Sequence, residues 1–317
     1  MKKILVTGGA GFIGSNCCNA LVRDGHTVVA FDNLSLGTGD ALEPGVQLVK
    51  GDVRDAAALQ ALGPVDFVIH LAAASSAPMF TDDFIGSIAN NVLGHVTVLE
   101  YARKNGVQKV LFASTSSIYG NNPTPLTEDQ RVEPPNFYSV TKHAQEELSS
   151  VYNALHQLEI IGFRFMSVYG LHEEHKGRFA NLVSQFIWGI EKRKRPVLYG
   201  DGNQTRDFVN VRDIIEAFRL VLETPKRFGY TIFNIGTEHA LSLRELVSVI
   251  GGIMGEAIEP ILVPNPISKG YVMAQQADAS KIKSELNFEA SVTLDTGVRE
   301  IVEYRKKHKK EPVSLSF

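Results

Sequence analysis

The chain has 317 residues, with 32 Lys+Arg against 35 Asp+Glu and a formal net charge of −3. Apolar residues at 44% and charged residues at 21% are ordinary for a folded chain, which excludes a disulfide-stapled miniprotein, a collagen and a disordered protein. The slightly acidic balance argues against nucleic acid as the main partner, because phosphate backbones need a basic face.

The two cysteines, Cys17 and Cys18, are adjacent and read as reduced, buried thiols. No stretch approaches the roughly 18 apolar residues of a membrane helix. The apolar run Ile4-Leu5-Val6 is far short of a signal-peptide core. The expectation is a cytoplasmic protein with no membrane partner.

In chain order, Ile4–Thr7, Thr27–Phe31, Gln47–Val49, Phe67–His70 and Lys109–Ser114 read as buried strands. Helical patterns over Ile13–Arg23, Ala56–Leu62 and Asp83–Lys104 lie between them. This alternation predicts right-handed crossovers and a parallel sheet covered on both faces. A long helix follows from Asn136 to about His156, then a strand, Ile160–Phe165. Beyond Gly170 the spacing predicts a helix from Phe179 to about Glu191, stopped by Pro196, a second from Val211 to Leu222, and a strand over Tyr230–Ile235. The last 80 or so residues read as helices joined by Pro-containing loops. The fold class is therefore α/β: a doubly wound parallel sheet with a smaller, mostly helical domain. The expected division is 1–166 plus 204–235 for the sheet domain, and 167–203 plus 236–317 for the smaller one.

Thr7-Gly8-Gly9-Ala10-Gly11-Phe12-Ile13-Gly14 follows the first strand and opens the first helix. Gly8 permits the tight turn, Gly11 lets the backbone approach a pyrophosphate, and Gly14 allows close helix–strand packing. The helix N-terminus then offers free N–H groups to phosphates. Asp32 ends the second strand, where a carboxylate accepts from adenosine ribose hydroxyls and repels a 2′-phosphate. Asn33-Leu34-Ser35 follow with no Arg or Lys, so the expected cofactor is NAD and not NADP. Asp52, before Val53, is either an acceptor for the adenine amino group or a simple turn carboxylate.

Tyr138 and Lys142 are four apart on a predicted helix and share a face. A nearby ammonium and a bound nicotinamide cation would both stabilise a phenolate base. The run Ser114-Thr115-Ser116-Ser117 puts a hydroxyl cluster at the carboxyl end of a strand, where ligands of open α/β sheets bind. His172-Glu173-Glu174-His175 lacks a helical pattern and a third ligand partner, so it reads as a loop and not a metal site.

The glycine motif, the hydroxyl cluster and Tyr138-x-x-x-Lys142 together resemble the extended short-chain dehydrogenase/reductase family. The likeness is to its NAD-dependent nucleotide-sugar epimerase/dehydratase branch, and within it to the UDP-glucose (UDP-galactose) 4-epimerases. His70-Leu71-Ala72-Ala73, Asn91-Val92-Leu93-Gly94, Arg164–Gly170 and Gly200–Val209 look like family segments in family order. The resemblance implies Thr115, Tyr138 and Lys142 as the catalytic set. It implies Gly8, Gly11, Phe12, Ile13, Gly14, Asp32, Asn33, Leu34, Ser35 and Gly37 around the cofactor. Asp52, Val53, Leu71, Ala72, Ala73, Asn91, Ala113 and Phe165 would complete that lining beside Tyr138 and Lys142. Ser75, Thr115, Ser116, Tyr138, Ser167, Asn181, Leu182, Arg206 and Lys269 would hold the sugar nucleotide.

Three positions depart from the family pattern. Thr115 stands for the usual Ser, Ser167 for the Asn before Val-Tyr-Gly, and Ser268-Lys269-Gly270-Tyr271 for Arg-Pro-Gly-Asp/Glu. The resemblance implies a homodimer through helices 83–104 and 136–156, packed as a four-helix bundle. It also implies inversion at C4 of a UDP-hexose or its N-acetyl form through a transient 4-keto sugar. A UDP-glucuronate 4-epimerase, a 4,6-dehydratase and a decarboxylase share that chemistry. Ser116-Ser117 stands where the dehydratases carry Asp-Glu, which favours the epimerase. A non-catalytic NAD-binding regulator on the same fold is disfavoured by the intact Thr115, Tyr138 and Lys142.

Overall fold

The computed structural model describes residues 1–267, 270–308, 310 and 313. Its strands are β1 (Lys3–Thr7), β2 (Thr27–Asp32), β3 (Val46–Lys50), β4 (Phe67–His70), β5 (Lys109–Thr115) and β6 (Glu159–Phe165). They are followed by β7 (Ser167–Tyr169), β8 (Val197–Tyr199), β9 (Thr205–Asn210), β10 (Tyr230–Ile235), β11 (Ala240–Ser242) and β12 (Ile261–Val263). The helices are α1 (Phe12–Arg23), α2 (Ala56–Gln60), α3 (Ala77–Asp82), α4 (Phe84–Ile88), α5 (Gly94–Lys104) and α6 (Phe137–His156). The remainder are α7 (Leu182–Glu191), α8 (Val211–Glu223), α9 (Leu243–Met254), α10 (Ser280–Leu286) and α11 (Leu294–Lys307).

A seven-stranded sheet runs β10-β6-β5-β4-β1-β2-β3, and every neighbouring pair in it is parallel. The inner strands are apolar on both sides because both faces are covered, while the edge strand β3 is exposed. In β1, Ile4 and Val6 join the core that includes Cys17 and Cys18 of α1 and Phe218 of α8, while Leu5 joins the core under α5. Strand order reverses between β1 and β4, which opens a crevice at their carboxyl ends. Burial pushes the Cys17 thiol up to about 12, so it behaves as a small apolar group.

The second lobe has its own core, with Trp188, Leu246 and Val298 at its centre. It holds more strand than the sequence pattern suggests. Strands β7, β9 and β11 form a three-stranded sheet, and β8 pairs with β12. Each of these strands except β9 has only three residues, too few to show a period. Residues 205–210, expected with the large sheet, pair instead with β7 and β11. Ile282 and Phe288, expected in the small domain, pack into the large core.

The helix expected over Asp83–Lys104 is broken. Asp83 caps α4 by accepting from the Gly86 N–H at 2.9 Å, and Ala89–Leu93 widens into a π-helical segment before α5. The cause is Asn91, whose side chain bonds Ala74 N and O (2.7 and 3.1 Å) and Thr141 Oγ1 (2.9 Å), pulling the turn inward. The helix expected from Phe179 starts at Leu182, because Asn181 Oδ1 accepts from the Val183 N–H at 3.0 Å and caps it there. Among the described residues no helix is long and apolar enough to cross a membrane.

Candidate active site

A cleft of about 920 Å³ runs along the carboxyl ends of β1, β2, β4 and β5 and is closed on its far side by the second lobe. At one end lies the turn between β1 and α1. Gly8 has φ +69°, and a Cβ there would sit 2.6 Å from the Ala72 nitrogen. A Cβ on Gly14 would come within 2.0 Å of the Gly8 carbonyl oxygen, and one on Gly37 within 2.3 Å of that of Ala10. No side chain caps α1 and its first turn carries no acidic residue, so the free N–H groups there are left for an anion. Phe12 and Ile13 line the same wall.

Asp32 accepts from the Ala10 N–H at 3.0 Å on one carboxylate oxygen and from the Leu34 N–H at 2.8 Å on the other. Both oxygens keep a lone pair for the cleft, which Asn33, Ser35 and Val53 also line. A turn without side chains, an uncapped helix end and a carboxylate at the end of β2 fit a dinucleotide such as NAD.

Three residues expected around the cofactor, Leu34, Asp52 and Asn91, are not among those that line the cleft. Leu34 has φ +59°, and its N–H donates to Asp32 at 2.8 Å. Asp52 is engaged by Arg54 at 2.6 Å and accepts from the Asn33 amide at 3.4 Å. The Arg54 hydrogen bond outweighs burial and holds its carboxyl down at about 2. Asn91 is fully buried behind Ala74 and braces the wall from one layer back.

At the other end α6 and β5 converge. The N-terminus of α6 is set by a capping box, with Asn136 Oδ1 accepting from the Ser139 N–H at 3.0 Å and Ser139 Oγ from the Asn136 N–H at 3.2 Å. This places Tyr138 in the first turn and Lys142 one turn on, both facing the cleft with Thr115, Ala113 and Phe165. Thr115 Oγ1 accepts from the Ser117 N–H at 3.1 Å and is hydrogen-bonded to Tyr138. Lys142 Nζ donates to the Ala113 carbonyl at 2.8 Å and to Gln145 Oε1 at 3.2 Å.

Burial pushes the Tyr138 phenol above its ordinary value, against the Thr115 hydrogen bond. Burial likewise pushes the Lys142 ammonium down to about 7, while the charge of Glu146 works the other way. Glu146 is itself held by Arg164 at 2.7 Å and accepts from Ser114 Oγ at 2.5 Å. This network ties α6 to β5 and β6.

Ser75, Ser116, Ser167, Asn181, Leu182 and Arg206, expected around a sugar nucleotide, all line the cleft. Lys269 lies outside the described residues. Leu71, Ala72 and Ala73 line it beside Gly8. The sequence reading missed Arg54, Lys176 and Gln275. Lys176 stands over the Phe12 ring at 5.4 Å, and Gln275 Nε2 donates to Ser116 Oγ at 2.9 Å. Arg54 and Gln275 belong to a turn and a loop and Lys176 to a short 3₁₀ segment, Glu174–Phe179, and Lys176 and Gln275 arrive from the second lobe, so no local pattern marks them.

In the His172–His175 run, buried Glu173 accepts from Asn181 N (2.7 Å), Ser184 Oγ (2.6 Å) and Lys176 Nζ (2.9 Å). Glu174 pairs with Arg305 at 3.0 Å, so both carboxylates serve the packing of the second lobe.

Residues 4–236 match the model of the NAD dependent epimerase/dehydratase family. The chain is 34% identical over 311 residues to UDP-glucose 4-epimerase of Mycolicibacterium smegmatis, covering 95% of this chain and 98% of that one. Among solved structures it is similar to Thermotoga maritima UDP-glucose 4-epimerase with UDP-glucose, with a TM-score of 0.89 and 29% identity over 97% of this chain and 100% of that one. It is also similar to Thermus thermophilus UDP-glucose 4-epimerase in complex with NAD, with a TM-score of 0.85 and 30% identity over 96% and 99% of the two chains. With a glycine turn built for a dinucleotide and Thr115, Tyr138 and Lys142 gathered at the end of one parallel sheet, the chain belongs to the NAD-dependent epimerase/dehydratase family and is an enzyme of the extended short-chain dehydrogenase/reductase type.

Proposed function

We propose that the protein inverts C4 of a UDP-hexose, either UDP-glucose/UDP-galactose or the N-acetyl forms, through a transient 4-keto sugar. The observation that carries this reading is the convergence of Thr115, Tyr138 and Lys142 on one end of the cleft, with hydroxyls and no carboxylate at 116 and 117. Bound NAD supplies the acceptor for the C4 hydride and its return donor.

The chain supplies the proton chemistry and the geometry. Tyr138 Oη takes the C4 hydroxyl proton and later returns it. The Lys142 ammonium favours the phenolate, and the Thr115 hydroxyl holds the sugar oxygen in line. Loss of water across C5–C6 would need a second acid–base pair, for which Ser116 and Ser117 are far too weakly acidic. Arg206 and Asn181 hold the nucleotide while the keto sugar turns over.

Incubation with UDP-glucose, UDP-N-acetylglucosamine, UDP-glucuronate and dTDP-glucose tests the reading. A C4 epimer of unchanged mass from UDP-glucose or UDP-N-acetylglucosamine supports it; one from UDP-glucuronate or dTDP-glucose alone keeps the reaction and overturns the substrate. A product lighter by one water or one carbon dioxide overturns it in favour of a lyase.

In the same reading, the α1 N-terminus takes the cofactor diphosphate and Asp32 the adenosine ribose. Asp32→Ala is expected to narrow the preference for NAD over NADP by removing repulsion of a 2′-phosphate. Mass spectrometry of the nucleotide released from wild type and variant measures it.

We further propose a homodimer. Phe137, Val140, Val151 and Leu155 recur at helical spacing on α6 and are all exposed, Leu155 at 71%. Phe84, which packs on Phe137 with ring centroids 4.7 Å apart, extends the apolar face with Ile85 and Leu93. Such a patch suits a second copy. Leu155→Glu is expected to shift the protein to monomer by light scattering, without loss of helical content.

A further inference from the structure

The part of the cleft built by β9 and the segment after Gly270 contains a cation without a counter-ion. Arg206 donates to three main-chain carbonyls, Thr205 O at 2.7 Å, Val272 O at 2.8 Å and Met273 O at 3.5 Å, and is hydrogen-bonded to the Tyr271 phenol. It forms no ion pair with a carboxylate among the described residues. A partly buried guanidinium left in this state is poised for an anion.

Beside it stands an aromatic wall. The Arg206 guanidinium lies 5.8 Å from the centroid of the Tyr271 ring, and Tyr199 meets that ring edge-on at 6.3 Å. The phenol of Tyr271 accepts from Gln204 Nε2 at 3.0 Å, and the same amide donates to the Tyr199 carbonyl at 3.1 Å. Gln204 therefore pins the polar tip of Tyr271, and Tyr271 lines the cleft. The carboxylates that line the cleft, among the described residues, are Asp32, Asp82 and Asp83, none of them on the segments that carry Arg206 and Tyr271.

We infer that Tyr271 is the residue that reads the nucleoside of the substrate, and that it reads it by its aromatic face. Arg206 takes the diphosphate, and the Tyr271 ring packs on the adjoining ribose and base. This rests on the nucleotide-sugar reading above and deepens it. The chemical consequence is a tolerance. A site that hydrogen-bonds a substrate hydroxyl rejects the analogue lacking it by orders of magnitude, because its polar group is left unpaired, whereas an aromatic wall discriminates weakly. The enzyme should thus accept 2′-deoxyribonucleotides nearly as well as ribonucleotides.

Calorimetric titration of the NAD-loaded protein with UDP and with 2′-deoxy-UDP tests this. The two dissociation constants should agree within about tenfold. Tyr271→Ala should weaken both by about ten- to a hundredfold, the usual loss for a stacking ring, at unchanged NAD content. Tyr271→Phe, which keeps the ring, should bind both close to wild type. The inference is overturned if 2′-deoxy-UDP binds more than about tenfold more weakly than UDP, or if Tyr271→Ala binds like wild type. Should Tyr271→Ala not fold, the wild-type ratio and Tyr271→Phe still decide. UDP binding needs no turnover at C4. A protein that binds both nucleotides as expected but forms no epimer therefore fails only the reaction assignment.

Discussion

Tyr138→Phe is expected to keep the fold and the bound NAD and to lose turnover by about 10²–10⁴-fold, the usual contribution of a positioned acid–base group. The change removes one oxygen. The ring contact with Phe80, at 6.3 Å between centroids, is unaffected, and Tyr138 is not a capping residue of α6. The loss should therefore fall on kcat, with little change in affinity for UDP. Burial already pushes the Tyr138 phenol above its ordinary value. In wild type, activity should rise with pH as the phenolate becomes populated, and that limb should vanish in the variant. Steady-state kinetics across a pH series, with NAD content measured by absorbance after denaturation, checks both statements. Full activity in a folded Tyr138→Phe protein would remove Tyr138 from the mechanism.

The largest expected effect on stability lies one turn beyond Lys142. Glu146 and Arg164 form a bidentate pair at 3.0 and 2.7 Å, with side chains exposed by only 2% and 6%. Burial raises the Glu146 carboxyl, but His143 at 4.0 Å and the hydrogen bonds and charge of Arg164 outweigh it and leave it below its ordinary value. Glu146→Ala strands the guanidinium in the core and should cost about 3–5 kcal/mol, read as a lower denaturant midpoint. The double variant Glu146→Ala/Arg164→Met removes the stranded charge and should recover part of that loss. The sign with pH follows from the lowered carboxyl. The folded state holds fewer protons than the unfolded one in acid, so this contribution is present above the ordinary carboxylate range and is lost as pH falls through the folded value. The acid limb of the wild-type stability curve should be shallower in the double variant. Because the pair also anchors Ser114, next to Thr115, a fall in kcat should accompany the single change.

The large sheet was legible in the sequence because both of its faces are buried, so β1, β2, β4, β5 and β6 read as continuous β-branched and apolar runs. The glycine turn was legible because its function is backbone approach, which only missing side chains permit, as the 2.0 Å space at Gly14 shows. Tyr138 and Lys142 were legible because a helix converts a spacing of four into a shared face. In each case the signal is local: one strand, one turn or one helix fixes the position.

What the tertiary structure decided has no local period. The short strands β7, β8, β11 and β12 acquire partners only when distant segments meet, and three residues show no alternation by themselves. The break in the helix around Asn91 depends on Ala74 and Thr141, which lie 17 and 50 positions away in the chain. Lys176, Gln275 and Tyr271 enter the cleft from the second lobe, and no neighbour in sequence announces where they will stand. The charge state of the catalytic pair belongs to this class too. The sequence puts an ammonium near a phenol, whereas desolvation, which exists only once the chain is packed, pushes the phenol up and the ammonium down, so the two pKa values move apart.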